Sequence, residues 1–516
     1  MLSGLIKSSF CKNSFVFYIC FLIVVDISIA GITGKIIGRI IDSNTGEPIV
    51  GANLLIKDTF VGSTSDNNGY YVIINIPPGF YDVECSIIGY KDYIVRDVRV
   101  EIDQTTTLDF NIELEIIEGE TVIVDAIMKV IRKDVAATHL NINSQTIEEL
   151  PIGSINEILA FHAGITKELG VRGGRSDQTM FMVDGVVLRQ ERNNLPVTAL
   201  PLSAVREISV QTGGFSAEYN NVRSGVVNVV TKEGHPKNYS GTLSIRQSSP
   251  SPKHFGISPY DRNSFWLRPY LDQDVCWTGT DNGQWDEYTQ RQYPGFEGWN
   301  SVSEASLSDD DPENDITSTA AQQIYIWEHR KRGYIKKPDQ NIDLGFGGPI
   351  PFIGQYLGNL RFFFSYRNFQ DMYLMQLSRD GLYDNSSLLK VTSDISKTMK
   401  FSILGLYNQI QATTSSRSGG TSYMNDVFDV ASEIDRKGFT VPWRIYTNTY
   451  WSQTSSSYDL ISAKFSHLVN PKTMYDLQLK KVTIQYDTGP SRHRDNTKQY
   501  EIFSGYFVDE APFGFE

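Results

Sequence analysis

Long apolar runs are missing from this 516-residue chain beyond its first thirty positions. A helix crossing a bilayer needs about 20 consecutive apolar residues, so no helical membrane anchor is expected. Cysteine is scarce: of four, Cys11 and Cys20 lie near the start, and Cys85 and Cys276 fall in segments of different character. That pattern implies no disulfide framework, and each of the latter two reads as an isolated thiol. The seven histidines show no metal-ligand spacing and no nucleophile elbow occurs, which disfavours a hydrolase. A basic excess is absent as well. The formal net charge of −13 argues against nucleic acid as a partner.

What is present begins with export. Lys7 and Lys12 precede the apolar run FVFYICFLIVV, and a small-residue tripeptide ends at Ala30. Residues 1–30 therefore read as a signal peptide cut after Ala30. Cys20 is followed by more of the apolar run, which rules against a lipoprotein cysteine. Beyond it, 27 Tyr and 27 Phe among many Gly, Ser, Thr and Asn lean towards β structure in two to four domains. A β-barrel fits the same hydropathy, because its strands alternate lipid-facing and lumen-facing residues.

Residues 31–117 alternate short strands with turn chemistry: DSNTGEP at 42–48, DNNG at 66–69 and PPG at 77–79. In YDVECSI, Tyr81, Val83, Cys85 and Ile87 share one face, and LDFNIEL repeats the pattern. One face is core and one is wet, which predicts an Ig-like β-sandwich of roughly seven strands with Cys85 inside. DNNG lacks the Asp spacing and later Glu of a calcium loop and reads as a turn. The order of these turns, with GSTSDNNGYYVI and SIIGYKDY, resembles the carboxypeptidase regulatory-like domain. The resemblance implies a carbohydrate-binding-like sandwich that binds or docks and does no chemistry.

Residues 134–238 change period. SQTIEELPIGSINEILAF holds two capping boxes, Thr146 with Glu149 and Ser154 with Glu157, around short helices broken at Pro151. Apolar strand-like runs then alternate with Gly-rich turns, giving a small α/β unit. The RGGR turn lacks the Lys-Ser/Thr of a phosphate loop. VRGGRSDQTMFMVDG and AVREISVQTGGFSAEYNNVRSGVVNVVTK resemble the plug domain of TonB-dependent outer-membrane receptors. The resemblance marks Arg172, Gly173, Gly174, Asp184, Gly185, Gly225, Asn228, Thr231 and Lys232 as plug-motif residues. Asn220 and Asn221 stand where many plugs have Gly after the Tyr.

From 239 to 516, Tyr-, Trp- and Ser-rich segments alternate polar and apolar residues between turns, the dyad repeat of an outer-membrane barrel. GGPIPFIG at 347–354 also resembles the opening of the receptor barrel, with Phe362, Tyr366 and Tyr373 expected in its interfacial girdle. About seven candidate strands stand against about 22 in plugged transporters, so we expect the N-terminal part of a larger barrel. A long connection, 250–340, carries Trp266, Trp277, Trp285 and Trp299, candidates for gripping a sugar face or a partner. Its acidic run, with Asp309, Asp310 and Asp311, offers oxygen ligands of the kind calcium takes; no other cofactor is expected.

Between sandwich and plug, 118–133, lies Glu120, Thr121, Val122, Ile123 and Val124. By composition this is a linker, a short core strand, or a strand able to add itself to another sheet's edge. By its address it resembles the TonB box, which pairs with the periplasmic energy-coupling protein. The fold expected is therefore mainly β: sandwich, α/β plug and the start of an antiparallel barrel. The function implied is energy-coupled uptake through the outer membrane, without catalysis, with a SusD-like surface lipoprotein as a further partner and SusC-like receptors as the nearest type. The alternative is a secreted or surface adhesin built from sandwich modules.

Overall fold

The computed structural model describes residues 32–508 except 58, 60, 103, 116–120, 126–138, 151, 199, 216–218, 220–221, 254–255, 259–260, 313–314, 329–334, 397, 415–422, 425–428, 430–451, 471–472 and 490–499. The signal peptide and Pro151 thus lie outside the described residues.

Eight strands build the first unit: β1 (Gly34–Asp42), β2 (Asn53–Ile56), β3 (Gly62–Thr64), β4 (Tyr70–Ile76), β5 (Gly79–Ser86), β6 (Asp92–Val100), β7 (Thr105–Thr107) and β8 (Phe110–Ile112). One sheet centres on β1, which pairs antiparallel with β4 and parallel with β7 and then β8. The other runs β3-β2-β5-β6 and continues into a ninth strand, β9 (Thr121–Asp125). The predicted linker therefore contributes a strand to the sandwich sheet. Period-2 alternation along β1 sends Ile36 and Ile40 inwards and Lys35 and Arg39 out, and Leu54, Ile73, Val83, Cys85 and Phe110 close the core. The Asp turns form by side-chain capping. Asp42 Oδ1 accepts from the N–H groups of Asn44 and Thr45, and Asp66 Oδ1 from those of Asn68 and Tyr70.

The second unit contains β10 (His139–Asn143), α1 (Ser144–Glu149), α2 (Ile155–Ala160), β11 (Thr179–Val183), β12 (Val186–Val187), β13 (Val205–Gln211) and β14 (Gly225–Thr231). Its sheet order is β10-β13-β14-β11-β12, with only β11 and β14 parallel. Every residue of the central β14 is buried. The expected cap at Thr146 is corrected: Asn143 caps α1, its side chain accepting the Thr146 N–H, because an Asn three residues earlier reaches the free amide first. Ser154 does cap α2, and Glu157 reaches back to the N–H of Gly153.

Seven strands then form one antiparallel meander: β15 (Ser240–Gln247), β16 (Gln340–Pro349), β17 (Arg361–Met372), β18 (Gly381–Ser396), β19 (Met399–Thr414), β20 (Ser452–Asn470) and β21 (Thr473–Gly489). A small hairpin, β22 (Tyr500–Phe503) with β23 (Tyr506–Val508), follows. The dyad repeat is plain on β18, where Asp384, Ser386, Leu388, Lys390 and Thr392 are buried and Leu389 is exposed. One apolar cluster runs from Ile158, Val205 and Val227 of the second unit to Phe363, Leu388, Leu406 and Leu460 of this wall. The wall wraps the α/β unit, and its outer side carries Phe364, Tyr366, Ile403, Tyr407 and Ile461. Tyr373 is corrected from the expected girdle: it is 2% exposed, its hydroxyl donating to the Met424 carbonyl and accepting the Thr413 N–H. No described helix is long and apolar enough to cross a membrane.

Connections at one end of the wall are 350–360, 397–398 and 471–472, two of them tight turns, and the other end carries two long ones, 248–339 and 415–451, beside the shorter 373–380. The sandwich meets the short-turn end, where Val61, Gly62, Ile74 and Asn75 face Asp394, Ser396, Thr398, Met399, Lys400 and Leu468 across a small cleft. It is also fastened to β13. Arg206 donates through Nε to the Pro78 carbonyl and through Nη2 to the Tyr81 hydroxyl at 2.7 Å, while Ile102 N–H donates to Glu207 Oε1 at 3.2 Å.

Candidate functional site: a seated plug and an edge strand

The RGG turn and the start of β14 meet through close backbone approach. Arg172 and Gly173 take positive φ, and a Cβ on Gly174 would stand 2.4 Å from Ser224 Oγ. That hydroxyl bonds both the N–H and the carbonyl of Val171, at 3.0 and 2.9 Å. A Cβ on Gly225 would likewise strike the Val171 side chain at 2.7 Å. Glycine is required at both places because the two segments leave no room.

The Asp-Gly turn is the centre of the contact with the wall. Asp184 and Gly185, both at positive φ, turn the chain from β11 to β12. The Asp184 carboxylate accepts from Thr231 N–H at 2.9 Å and Thr231 Oγ1 at 2.6 Å. Its Oδ2 also accepts from Lys390 Nζ, at 2.9 Å, on the wall. Lys232 pairs with Glu148 at 2.8 Å, and Asn228 is buried mid-strand in β14. So Arg172, Gly173, Gly174 and Gly225 assemble a tight turn and Asp184, Gly185 and Thr231 a charged seat, while Asn228 and Lys232 stand outside both.

Sequence reasoning missed the other half of that seat. Glu233 lies between three wall cations, Arg361 and Lys400 at 3.0 Å and Lys390 at 3.8 Å, and Arg361 also meets Asp394 at 2.7 Å. Although burial alone would raise its pKa, these cations hold the Glu233 carboxyl well below the usual carboxylate range. The signal was there: RFFF, LLKV and MKFS each place one cation at an inward position of an apolar strand. Nearby, Asp343 accepts from the N–H groups of Leu202 and Ser203 at 2.7 and 3.2 Å, seating the start of β13 on β16.

Towards the long-connection end, Gln190 bonds the Tyr458 hydroxyl and the Arg192 guanidinium lies 5.5 Å over the Tyr486 ring. Beside this hairpin opens a cavity of about 420 Å³ lined by Thr166, Glu168, Arg175, Ser176, Asp177 and Asn193.

Two comparisons now bear on these features. A model of the TonB-dependent Receptor Plug Domain matches residues 132–227, and one of the carboxypeptidase regulatory-like domain matches residues 35–113. The chain carries the plug domain of TonB-dependent receptors. The plug match takes in Arg172 through Gly225, while Thr231, Lys232 and Glu233 continue it into the wall. Over 222 residues the chain is 22% identical to the TonB-dependent transporter Oar of Myxococcus xanthus, covering 39% of this chain and 20% of that protein. Over 305 residues it is 22% identical to the TonB-dependent receptor SusC of Bacteroides thetaiotaomicron, covering 54% of this chain and 29% of that one. The chain thus aligns with less than a third of the length of these curated relatives. The unliganded ferric citrate transporter FecA aligns with 70% of this chain and 42% of its own, at TM-score 0.41 and 13% identity.

The coupling segment expected between the regulatory-like domain and the plug is ordered from Thr121 to Asp125; Glu120 lies outside the described residues. β9 runs parallel to β6 in an unbroken register, Asp92 opposite Thr121 through Arg96 opposite Asp125. Val122 is half-buried, and Ile123 and Val124 are exposed.

The tryptophans of the long connection turn out to build a small folded insert with helices α3 (Arg268–Leu271), α4 (Glu287–Gln292), α5 (Trp299–Ser308) and α6 (Ser318–Glu328). Trp299 is buried with Cys276, its Nε1 donating to the Tyr270 carbonyl at 2.8 Å. Trp266 stands edge-on to Phe265, and Trp285 lies under the Arg268 guanidinium at 4.9 Å. Trp277 Nε1 donates to Gln273 at 3.3 Å. Trp266 and Trp285 are joined through Phe265 and Tyr293, which stack at 6.0 Å, while Trp299 lies in the separate cluster with Cys276. Asp309, Asp310 and Asp311 follow α5, where Asp309 Oδ1 accepts the Asp311 N–H; no metal-binding cluster is gathered among the described residues.

Proposed function

We propose that the protein is an energy-coupled importer of the outer membrane, with the sandwich on the periplasmic side and the long connections outside. The observation that carries this reading is the plug held inside a β wall by Asp184 and Glu233. Outer-membrane barrels keep their short turns periplasmic, and the sandwich and β9 sit at that end. A TonB-type periplasmic protein pairs with residues 120–124 and pulls, and the plug rearranges to admit a substrate bound from outside. The substrate proposed is a large nutrient, a glycan being the first to try, and the likeness to SusC supports a SusD-like surface lipoprotein as a second partner. An adhesin assembled from sandwich modules has no use for a plug seated on buried ion pairs. Calcium at the acidic run remains a separate proposal, to be read by calcium titration of the insert.

The deciding experiment uses the native receptor in cells. Proline removes a ladder donor, so Ile123→Pro should abolish energy-dependent uptake while leaving surface binding and membrane abundance unchanged, and Val122→Ile should be tolerated. Normal uptake by the proline variant would return this stretch to being a spacer.

A further inference from the structure

We propose that the coupling protein docks on β9 while β9 remains the fifth strand of the regulatory-like sheet, so that the sandwich presents an ordered edge in place of a loose peptide. The inference rests on the coupling reading above and adds where, and in what state, the segment is recognised.

Four observations carry it. The inner side of β9 is taken by β6 in five consecutive register pairs, and no described strand pairs with its outer side. The strand has no proline and its register no bulge, two of the devices by which edge strands usually discourage added strands. Ile123 and Val124, 50% and 45% exposed, offer apolar flanks for a partner sheet to cover. Finally, the sheet bearing this edge is fixed to plug strand β13 through Arg206 with Tyr81 and Glu207 with Ile102, so the edge has a fixed address at the short-turn end.

The ligand that fits is an extended strand contributing main-chain hydrogen bonds, recognised by β-augmentation. The physical gain is preorganisation. Five residues that have already lost their backbone freedom in folding do not lose it again on association. The competing geometry has the partner using the side of β9 that β6 now occupies. In that case β9 must first leave, and apparent affinity falls by the fraction of molecules in which it has left.

The two geometries predict opposite signs. Arg96 is exposed and lies opposite Asp125 in the register. Arg96→Glu puts like charges across the pair and loosens the ladder. Binding of the purified periplasmic domain of the coupling protein to the detergent-solubilised receptor should then not tighten: it weakens only by the fraction of molecules in which the ladder opens, and Asp125→Arg in the same molecule should restore any loss. Linking Arg96→Cys to Asp125→Cys, by oxidation or a short bismaleimide, should leave binding within about 2-fold of the unlinked protein. Tighter binding by Arg96→Glu, or a loss of about 10-fold or more on linking, overturns docking on the edge. The Ile123→Pro variant separates the two levels: if it binds the coupling domain normally, the coupling reading itself has failed.

Discussion

Lys390 of the wall and Asp184 of the plug form an ion pair of 2.9 Å in which the side chains are only 3% and 6% exposed. Neutralising Asp184 leaves Lys390 charged and buried with only the more distant Glu233, at 3.8 Å, to balance it. Asp184→Asn should therefore cost about 3–5 kcal/mol of plug seating. Asp184→Asn with Lys390→Met removes both charges while the amide oxygen can still accept from Thr231, and should recover part of that loss. Protease resistance of the plug, followed through denaturant in a double-mutant cycle, checks both; additive losses would show that the pair is not coupled.

The docking of sandwich to plug should depend on pH. Burial, assisted by the neighbouring Glu101, pushes the Glu207 carboxyl up to about 7, against a normal value of 4.5. Since its folded pKa is raised, no penalty exists below about 4.5; the cost of charging it in place grows between about 4.5 and 7 and is complete above. Docking should thus weaken as pH rises through that window, by up to about 3 kcal/mol. Glu207→Gln should flatten the profile. Hydrogen exchange at the Ile102 amide between pH 5 and 8 is the measurement.

The insert's aromatics should behave as a core. Trp299→Ala removes a buried indole packed on Tyr270, Phe296 and Tyr325 and should destabilise the insert by about 3–5 kcal/mol. Proteolysis should open the 250–340 region first and leave the plug resistant. A variant whose insert stays protected while surface ligand is lost would favour the binding role.

The ninth strand should stabilise the sandwich. Residues 31–125 should melt cooperatively and several degrees above residues 31–117, because about 1 kcal/mol moves a domain of this size by about 4–8 °C. Equal melting temperatures would mean that β9 rests on β6 without contributing to the fold.

Much of the architecture was readable because it depends on period. The alternation in YDVECSI and LLKVTSDIS fixes a wet and a dry face whatever the partner strand, and the structure keeps those faces. Pairing partners were less readable. Nothing local to Val122 says that its neighbour is Tyr93, because a parallel register depends on the whole crossover between them. The seat was half legible: the Asp-Gly turn and Thr231 are readable motif chemistry, but Lys390 meets them, and Arg361 meets Glu233, only through the way the wall wraps the plug. The aromatics were ambiguous for a different reason. An indole buried on Tyr270 and an indole stacked on a sugar have the same composition, and only burial tells them apart.

Among the described residues the free thiols are Cys85 and Cys276, both fully buried. Burial pushes the Cys85 thiol up to about 12 and raises that of Cys276, whose sulfur accepts a hydrogen bond from Gln322. Neither presents a thiolate at neutral pH, so alkylating reagents pass both by in the folded protein. Among the described residues the background for thiol chemistry is thus quiet: a cysteine placed at position 96 or 125 is the reactive one there, and a label on it reports on the β6–β9 ladder.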